Sequence, residues 1–238
     1  MEKGKLYLIP TVIADGTQFD VIAPHVLELL PGLRYFLAEN IRTARRYLGS
    51  LKLFPSIDQL HFEVLDKDTP PESLSELFAP LFEGNNLGIL SESGCPGVAD
   101  PGAMAVSWAH RHGIEVVPLV GPSSILLALM ASGLNGQRFA FHGYLPVDNK
   151  LLAKELKELE KESAKKSQTQ ILIETPYRNN KLFGQLAKLL REDTLLTVAL
   201  EVTGANQFIK TRTVREWKQQ IPEFPKSPAV FLFLAKSN

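Results

Sequence analysis

The sequence has one cysteine, Cys95, in 238 residues. That excludes an intramolecular disulfide framework and fits a reducing compartment. Its histidines, at 25, 61, 110, 112 and 142, lack zinc-ligand spacing, so no metal is expected. No apolar run approaches the roughly 18 residues that would cross a bilayer. The opening Met1-Glu2-Lys3-Gly4-Lys5 also lacks the long apolar core of a secretion signal. A cytoplasmic protein with no membrane partner is the expectation. Gly-Lys-Ser and Gly-Lys-Thr are absent, which excludes a phosphate P-loop. Pro10-Thr11-Val12-Ile13-Ala14 stands where a dinucleotide fold would carry its glycines. There is no Gly-x-Ser-x-Gly elbow for a nucleophilic serine.

What remains is an ordinary α/β composition: 45% hydrophobic, 22% charged, with 16 glycines and 16 prolines. Formal net charge is zero, yet residues 1–120 carry 9 Lys and Arg against 15 Asp and Glu, and residues 121–238 carry 17 against 11. A basic half suits a polyanionic partner. The lysines of 150–166 alternate with Glu155, Glu158, Glu160 and Glu162, as a simply solvated helix face also would.

Short apolar runs alternate with amphipathic stretches, the pattern of βαβ units. Strands are expected at 5–9, 34–38, 61–65, 87–91 and 114–119, with helices near 20–29, 40–49, 71–83 and 101–112. Gly121-Pro122-Ser123-Ser124 breaks this series, so the domain boundary is placed at 120/121. A helix at 125–131 follows. Further strands are expected near 138–144, 169–175, 194–202, 206–213 and 228–235, with helices near 149–164 and 178–191. The last strands follow one another with little between them, which points to antiparallel pairing in residues 121–238.

In open α/β sheets, ligands bind beyond the carboxyl ends of the strands. The most unusual loop there is Ser91-Glu92-Ser93-Gly94-Cys95-Pro96-Gly97-Val98-Ala99-Asp100-Pro101-Gly102. Its glycines permit close approach of backbone to a ligand, and its prolines fix the path. Gly121-Pro122-Ser123-Ser124 offers hydroxyls at a helix start, for a ligand or as an ordinary cap. After the second strand, Arg42, Arg45 and Arg46 lie three and four apart on one helix face, a plausible phosphate contact or a solvated surface. Ile173-Glu174-Thr175-Pro176-Tyr177-Arg178 ends another strand.

In order along the chain, these loops resemble the tetrapyrrole methylase superfamily, and within it the bacterial 16S ribosomal RNA (cytidine-2′-O)-methyltransferases. The resemblance rests on Leu6-Tyr7-Leu8-Ile9-Pro10-Thr11, Ala38-Glu39-Asn40-Ile41-Arg42, Ser91 to Gly102, Pro118-Leu119-Val120-Gly121-Pro122, Ala131-Ser132-Gly133-Leu134, Ile173 to Arg178 and Leu200-Glu201-Val202-Thr203. It implies a two-domain α/β fold of the tetrapyrrole-methylase type, a cofactor cleft between the domains, and a homodimer. By motif position it implies S-adenosyl-L-methionine contacts from Pro10, Ser93, Gly94, Cys95, Val98, Ser123, Ser124, Thr175 and Ala229. The implied substrate is small-subunit ribosomal RNA, with Arg42, Arg45 and Arg46 as RNA contacts.

Glu92, Ala99, Asn40, residues 12–15 and residues 204–207 depart from the branch's pattern. The cofactor loop is thus better kept than the substrate face. A ribose hydroxyl is a poor nucleophile and benefits from a base. Glu39 and Asp100, both at strand-end loops, are the catalytic candidates, although Asp100 is equally placed to cap the helix after it. A tetrapyrrole or other small-molecule methyltransferase, and a non-catalytic RNA-binding relative, are the competing readings.

Overall fold

A computed structural model describes residues 2–220 and 222–237. The chain divides into two compact units after Ser123. Gly121, Pro122 and Ser123 go with the first, because they pack on its strand-end loops.

The first unit runs β1 (Leu6–Ile9), α1 (Gln18–Val21), α2 (Pro24–Leu29), β2 (Tyr35–Ala38), α3 (Ile41–Leu51), β3 (His61–Val64), α4 (Leu74–Leu77), α5 (Ala79–Phe82), β4 (Leu87–Leu90), α6 (Gly102–Arg111) and β5 (Val116–Pro118). All its strands are parallel, in the order β3-β2-β4-β1-β5. The central strand β4 is buried along its whole length, as expected of a parallel strand covered on both faces. One apolar layer joins Ile9, Phe36 and Leu90 to Ala44, Tyr47, Leu48 and Leu51 of α3. The other joins Leu6, Leu37 and Ile89 to Phe78, Ala105 and Trp108.

Two helices expected to be continuous are broken. The 20–29 stretch divides at Ile22 and Ala23, which are extended ahead of Pro24. The 71–83 stretch becomes a 3₁₀ turn, α4 and α5. Pro80 removes a backbone donor there and crowds the preceding turn.

The second unit runs α7 (Ser124–Ser132), β6 (Phe139–Phe141), α8 (Asn149–Lys166), β7 (Thr169–Glu174), α9 (Asn179–Leu189), β8 (Leu195–Leu200), β9 (Phe208–Thr213), α10 (Val214–Gln219) and β10 (Ala229–Leu234). The sheet order is β6-β7-β10-β8-β9. Strand β10 runs antiparallel to both β7 and β8, and β9 antiparallel to β8. Helices α8, α9 and α10 cover one face through Leu152, Leu156, Phe183, Leu186 and Trp217. Helix α7 packs on the other through Ile125, Ala128 and Leu129.

The expectation of little between the last strands is corrected by α10. Thr213 opens it with a capping box: its hydroxyl and the Glu216 backbone N–H bond, and Glu216 returns to the Thr213 backbone. That Thr-x-x-Glu spacing is a legible start signal. The β-branched run before it masked the signal.

Candidate active site

The first unit's candidate site is built where β1, β4 and β5 end at the same edge of the parallel sheet. The Thr11 backbone N–H donates to the Gly94 carbonyl at 2.9 Å, and its buried hydroxyl donates to the Ser91 carbonyl at 3.3 Å. Ser91 in turn donates its hydroxyl to the Ser93 carbonyl at 3.1 Å. The Cys95 thiol lies 3.3 Å from the Pro122 carbonyl, and burial, with the Asp100 carboxylate second, pushes that thiol up. Cys95 is therefore a protonated donor that fastens one loop to the next.

Gly121 shows how close these loops are. A Cβ on it would stand 2.0 Å from Cβ and 2.5 Å from Cγ of Pro10. The proline ring cannot rotate away, so Gly121→Ala must push the β1 and β5 loops apart. The expected cost is about 1–3 kcal/mol of stability, seen as a lower thermal midpoint. Gly136→Ala, where a Cβ meets open space, should leave the midpoint unchanged. Equal midpoints for the two variants would show that the Gly121 contact is not tight.

Asp100 holds the far half of the loop. Its Oδ1 accepts from the backbone N–H of Gly97 at 2.6 Å and of Gly102 at 2.8 Å. This closes a knot around Gly97 (φ 84°) and Ala99 (φ 60°), both left-handed. Burial raises the Asp100 carboxyl, and the two N–H bonds pull it back down. Both bonds fall on one oxygen, within the loop, so Asp100 acts here as a loop clasp. The helix that it precedes begins with Gly102, whose N–H it caps.

Glu39 follows β2 and is half-buried. Burial raises its carboxyl, and the Glu92, Asp100 and Asp66 carboxylates raise it further. Its proton affinity is thus shifted toward that of a useful general base. Next to it, Asn40 caps α3 by accepting the Thr43 N–H at 3.2 Å. Asparagine and aspartate cap equally well, so this departure from the branch's pattern preserves the helix start.

Helix α3 is tied to β1 by the buried Tyr47 hydroxyl, which donates to the Pro10 carbonyl at 2.9 Å. Between α3 and the loop after β1 lies a cavity of about 290 Å³, lined in part by Thr11, Val12, Gln18, Arg46, Ser91 and Glu92. The arginine trio is divided. Arg45 pairs with Asp58, and its guanidinium lies 5.6 Å from the Phe62 ring centre. Arg46 lines the cavity, and neither it nor Arg42 makes an ion pair among the described residues. Arg42 and Arg46, a single turn apart, are thus open, whereas Arg45 is held in an exposed ion pair. Sequence reasoning missed the cavity wall itself, Gln18, Thr43 and Ser50, which carry no motif.

In the second unit, Ser124 begins α7 and Thr175 follows β7. The Thr175 backbone N–H donates to Glu174 at 2.7 Å, and buried Glu174 pairs with Arg178 at 2.9 Å. Ala229 is the cross-strand neighbour of both Glu174 and Leu200. At the same sheet edge, Glu201 and Thr203 hold left-handed φ values of 45° and 74°. Non-glycine residues in that region carry strain that clusters at ligand sites. The Thr203 hydroxyl and the Asn179 side-chain oxygen are buried without a hydrogen-bond partner among the described residues.

No protein-family model matches the chain. Curated relatives do. Ribosomal RNA small subunit methyltransferase I of Escherichia coli O157:H7 is 32% identical over 90% of this chain and 71% of that protein. The chain belongs to this family. The protein of the same name from Synechocystis is 30% identical over 84% of this chain and 67% of its own length. That from Buchnera aphidicola (strain Bp) is 26% identical over 100% of this chain and 78% of its own. Among solved structures, the methyltransferase CobJ superposes with a TM-score of 0.62 at 17% identity, covering 98% of this chain and 94% of CobJ. The fold is that of CobJ, and the chain is a methyltransferase. No helix among the described residues is long and apolar enough to cross a membrane.

Proposed function

We propose that this protein transfers a methyl group from S-adenosyl-L-methionine to a cytidine ribose 2′-hydroxyl of small-subunit ribosomal RNA, acting as a cytoplasmic homodimer. The observation that carries the reading is the loop of residues 91–102, clasped by Asp100 and Thr11 at the carboxyl edge of a parallel sheet in a chain of this family.

The residues suit the cofactor. The backbone N–H groups of Ser93, Cys95 and Val98 find no acceptor among the described residues. They are available to a carboxylate or a ring nitrogen. The Thr203 hydroxyl, on a partly exposed residue and without a hydrogen-bond partner among the described residues, is available to a polar group of the ligand. The carboxylates of Glu92 and Asp100 favour a cationic ligand. Pro10, Ser93, Gly94, Cys95, Val98 and Ser123 are the first unit's contacts in this reading, and Ser124, Thr175 and Ala229 the second's. When bound, the cofactor supplies a methyl group on a sulfonium, open to in-line displacement.

The protein's own work is positioning and one proton transfer. Glu39 accepts the proton of the attacking hydroxyl. The cavity beside Arg46 and Glu92 receives the acceptor nucleotide, with Arg42 and Arg46 meeting phosphate oxygens.

The test has two stages. Calorimetric titration with S-adenosylmethionine should give saturable heat, and its absence would remove the cofactor. Tritiated methyl transfer to 30S subunits from a strain deleted for the gene should then label a cytidine ribose, read by mass spectrometry of nuclease digests. Cofactor heat without label would remove ribosomal RNA as the substrate.

A further inference from the structure

Helix α8 carries charge sorted into zones. At 3.6 residues per turn, Lys150, Lys154, Lys157, Lys161 and Lys165 follow one another at spacings of 4, 3, 4 and 4 residues. They therefore occupy one stripe about 80° wide and about 22 Å long. All five are exposed. Glu155, Glu158 and Glu162 fall on the next zone round the helix, and Leu152, Leu156, Leu159 and Ser163 on the buried one. A helix solvated only for solubility would interleave its signs to gain i,i+4 pairs. Here only Lys166, outside the stripe, pairs with a glutamate of the helix, Glu162. None of the five stripe lysines makes an ion pair among the described residues.

The stripe also borders a groove. Ala153, Ala164 and Leu189 form its floor, and Lys157, Lys161, Lys165 and Arg191 its rim, around about 830 Å³. Among the described residues that line it, the one carboxylate, Glu160, is buried and turned inward. Its Oε1 accepts from the Arg191 backbone N–H at 2.8 Å and from the Thr194 hydroxyl at 2.6 Å. Arg191 pairs with Asp193 at 3.0 Å. The groove thus presents small side chains beside a row of ammonium groups that form no ion pair among the described residues.

We infer that the α8 stripe and its groove form a second-unit surface that binds the phosphate backbone of RNA, independent of sequence. Charge complementarity identifies the occupant, because lysines act on phosphates as point charges and carry no base readout. The stripe itself is all lysine, and the exposed apolar side chains beside it, Leu151 and Leu189, form no continuous apolar face to insert among acyl chains, which distinguishes it from a membrane-lying helix. The inference rests on the reading of RNA as the substrate.

The test compares the full chain with its triple variant Lys157→Gln, Lys161→Gln, Lys165→Gln and with Lys166→Gln as control. Binding of a short fluorescein-labelled single-stranded RNA is followed by anisotropy between about 50 and 200 mM salt. Each lost phosphate contact removes about 0.7 from the slope of log affinity against log salt. The triple variant should therefore lose about 2 units of slope, with Lys166→Gln unchanged. Cofactor heat should be unchanged, and the loss in methyl transfer to 30S subunits should fall on KM rather than kcat. An unchanged slope in the triple variant, beside a wild type that methylates 30S subunits, overturns the surface and leaves the substrate reading intact. A wild type that binds no RNA overturns both. Loss of binding to anionic phosphatidylserine vesicles with an unchanged RNA slope also overturns the proposal, in favour of a lipid surface.

Discussion

Replacing Glu39 with glutamine should lower methyl transfer by about 10²–10⁴-fold, the range for removal of a positioned general base, while leaving the heat of S-adenosylmethionine binding intact. The pH profile carries the sharper signature. A base must be ionised to act, and the Glu39 carboxyl is raised by burial and by Glu92, Asp100 and Asp66. Wild-type turnover should therefore rise with pH through a point above the ordinary glutamate value and then level, and the variant should lack that limb.

Stability should move the opposite way. Because the folded-state value is raised, the native protein holds this proton more tightly than the unfolded chain does. The resulting stabilisation is complete below the ordinary carboxylate value and is lost as pH rises through the raised one. Glu39→Gln escapes that loss. Its thermal midpoint should exceed that of the wild type at neutral pH, and the advantage should shrink toward about pH 4. A variant with full turnover and an unaltered acid limb would exclude Glu39 as the base.

Asp100→Ala should have the largest effect on the loop. It deprives the Gly97 and Gly102 N–H groups of the oxygen they share. Hydrogen bonds to a charged group contribute about 1.5–3 kcal/mol each. The loop is partly exposed, so water recovers part of this and about 2–3 kcal/mol is the expected cost. Asp100→Asn keeps an acceptor oxygen in place and should cost about 1 kcal/mol. The clasp shapes the loop proposed to hold the cofactor, so cofactor affinity and turnover should fall together in the alanine variant. Native cofactor affinity beside abolished turnover would instead assign Asp100 a direct part in the chemistry.

The parallel strands of the first unit were legible because burial on both faces leaves near-continuous apolar runs, as in Leu87-Gly88-Ile89-Leu90. Helix α8 lies where it was expected, near 149–164, and Asp148 caps it in the structure. Where proline interrupts an apolar period, as at Pro24 and Pro80, the period survived and the helix did not. The period reports which face is buried, whereas the backbone donor decides continuity.

At the candidate site, glycine and proline density marked the 91–102 loop, since such residues record backbone geometry directly. The double duty of one Asp100 oxygen, the hold of Tyr47 on Pro10 and the removal of Arg45 by Asp58 were not legible. Each depends on residues far apart in sequence or on a side-chain direction. The lysines of α8 illustrate the same limit. Alternation with glutamate along the chain looked like balanced charge, and the helical turn sorts it into adjacent stripes of opposite sign.

The order β3-β2-β4-β1-β5 has a consequence for how the protein is made. Leu6 pairs with Leu87 on one side and with Val116 on the other. As the chain emerges from a ribosome, β1 has no partner until some 80 residues after it have followed, which takes about 4–16 s at typical elongation rates. Throughout that interval a short apolar strand waits beside α1 and α2 with both edges open. The nascent chain is thus most exposed to mispairing before β4 appears, and a pause in translation upstream of residue 87 would lengthen that exposure.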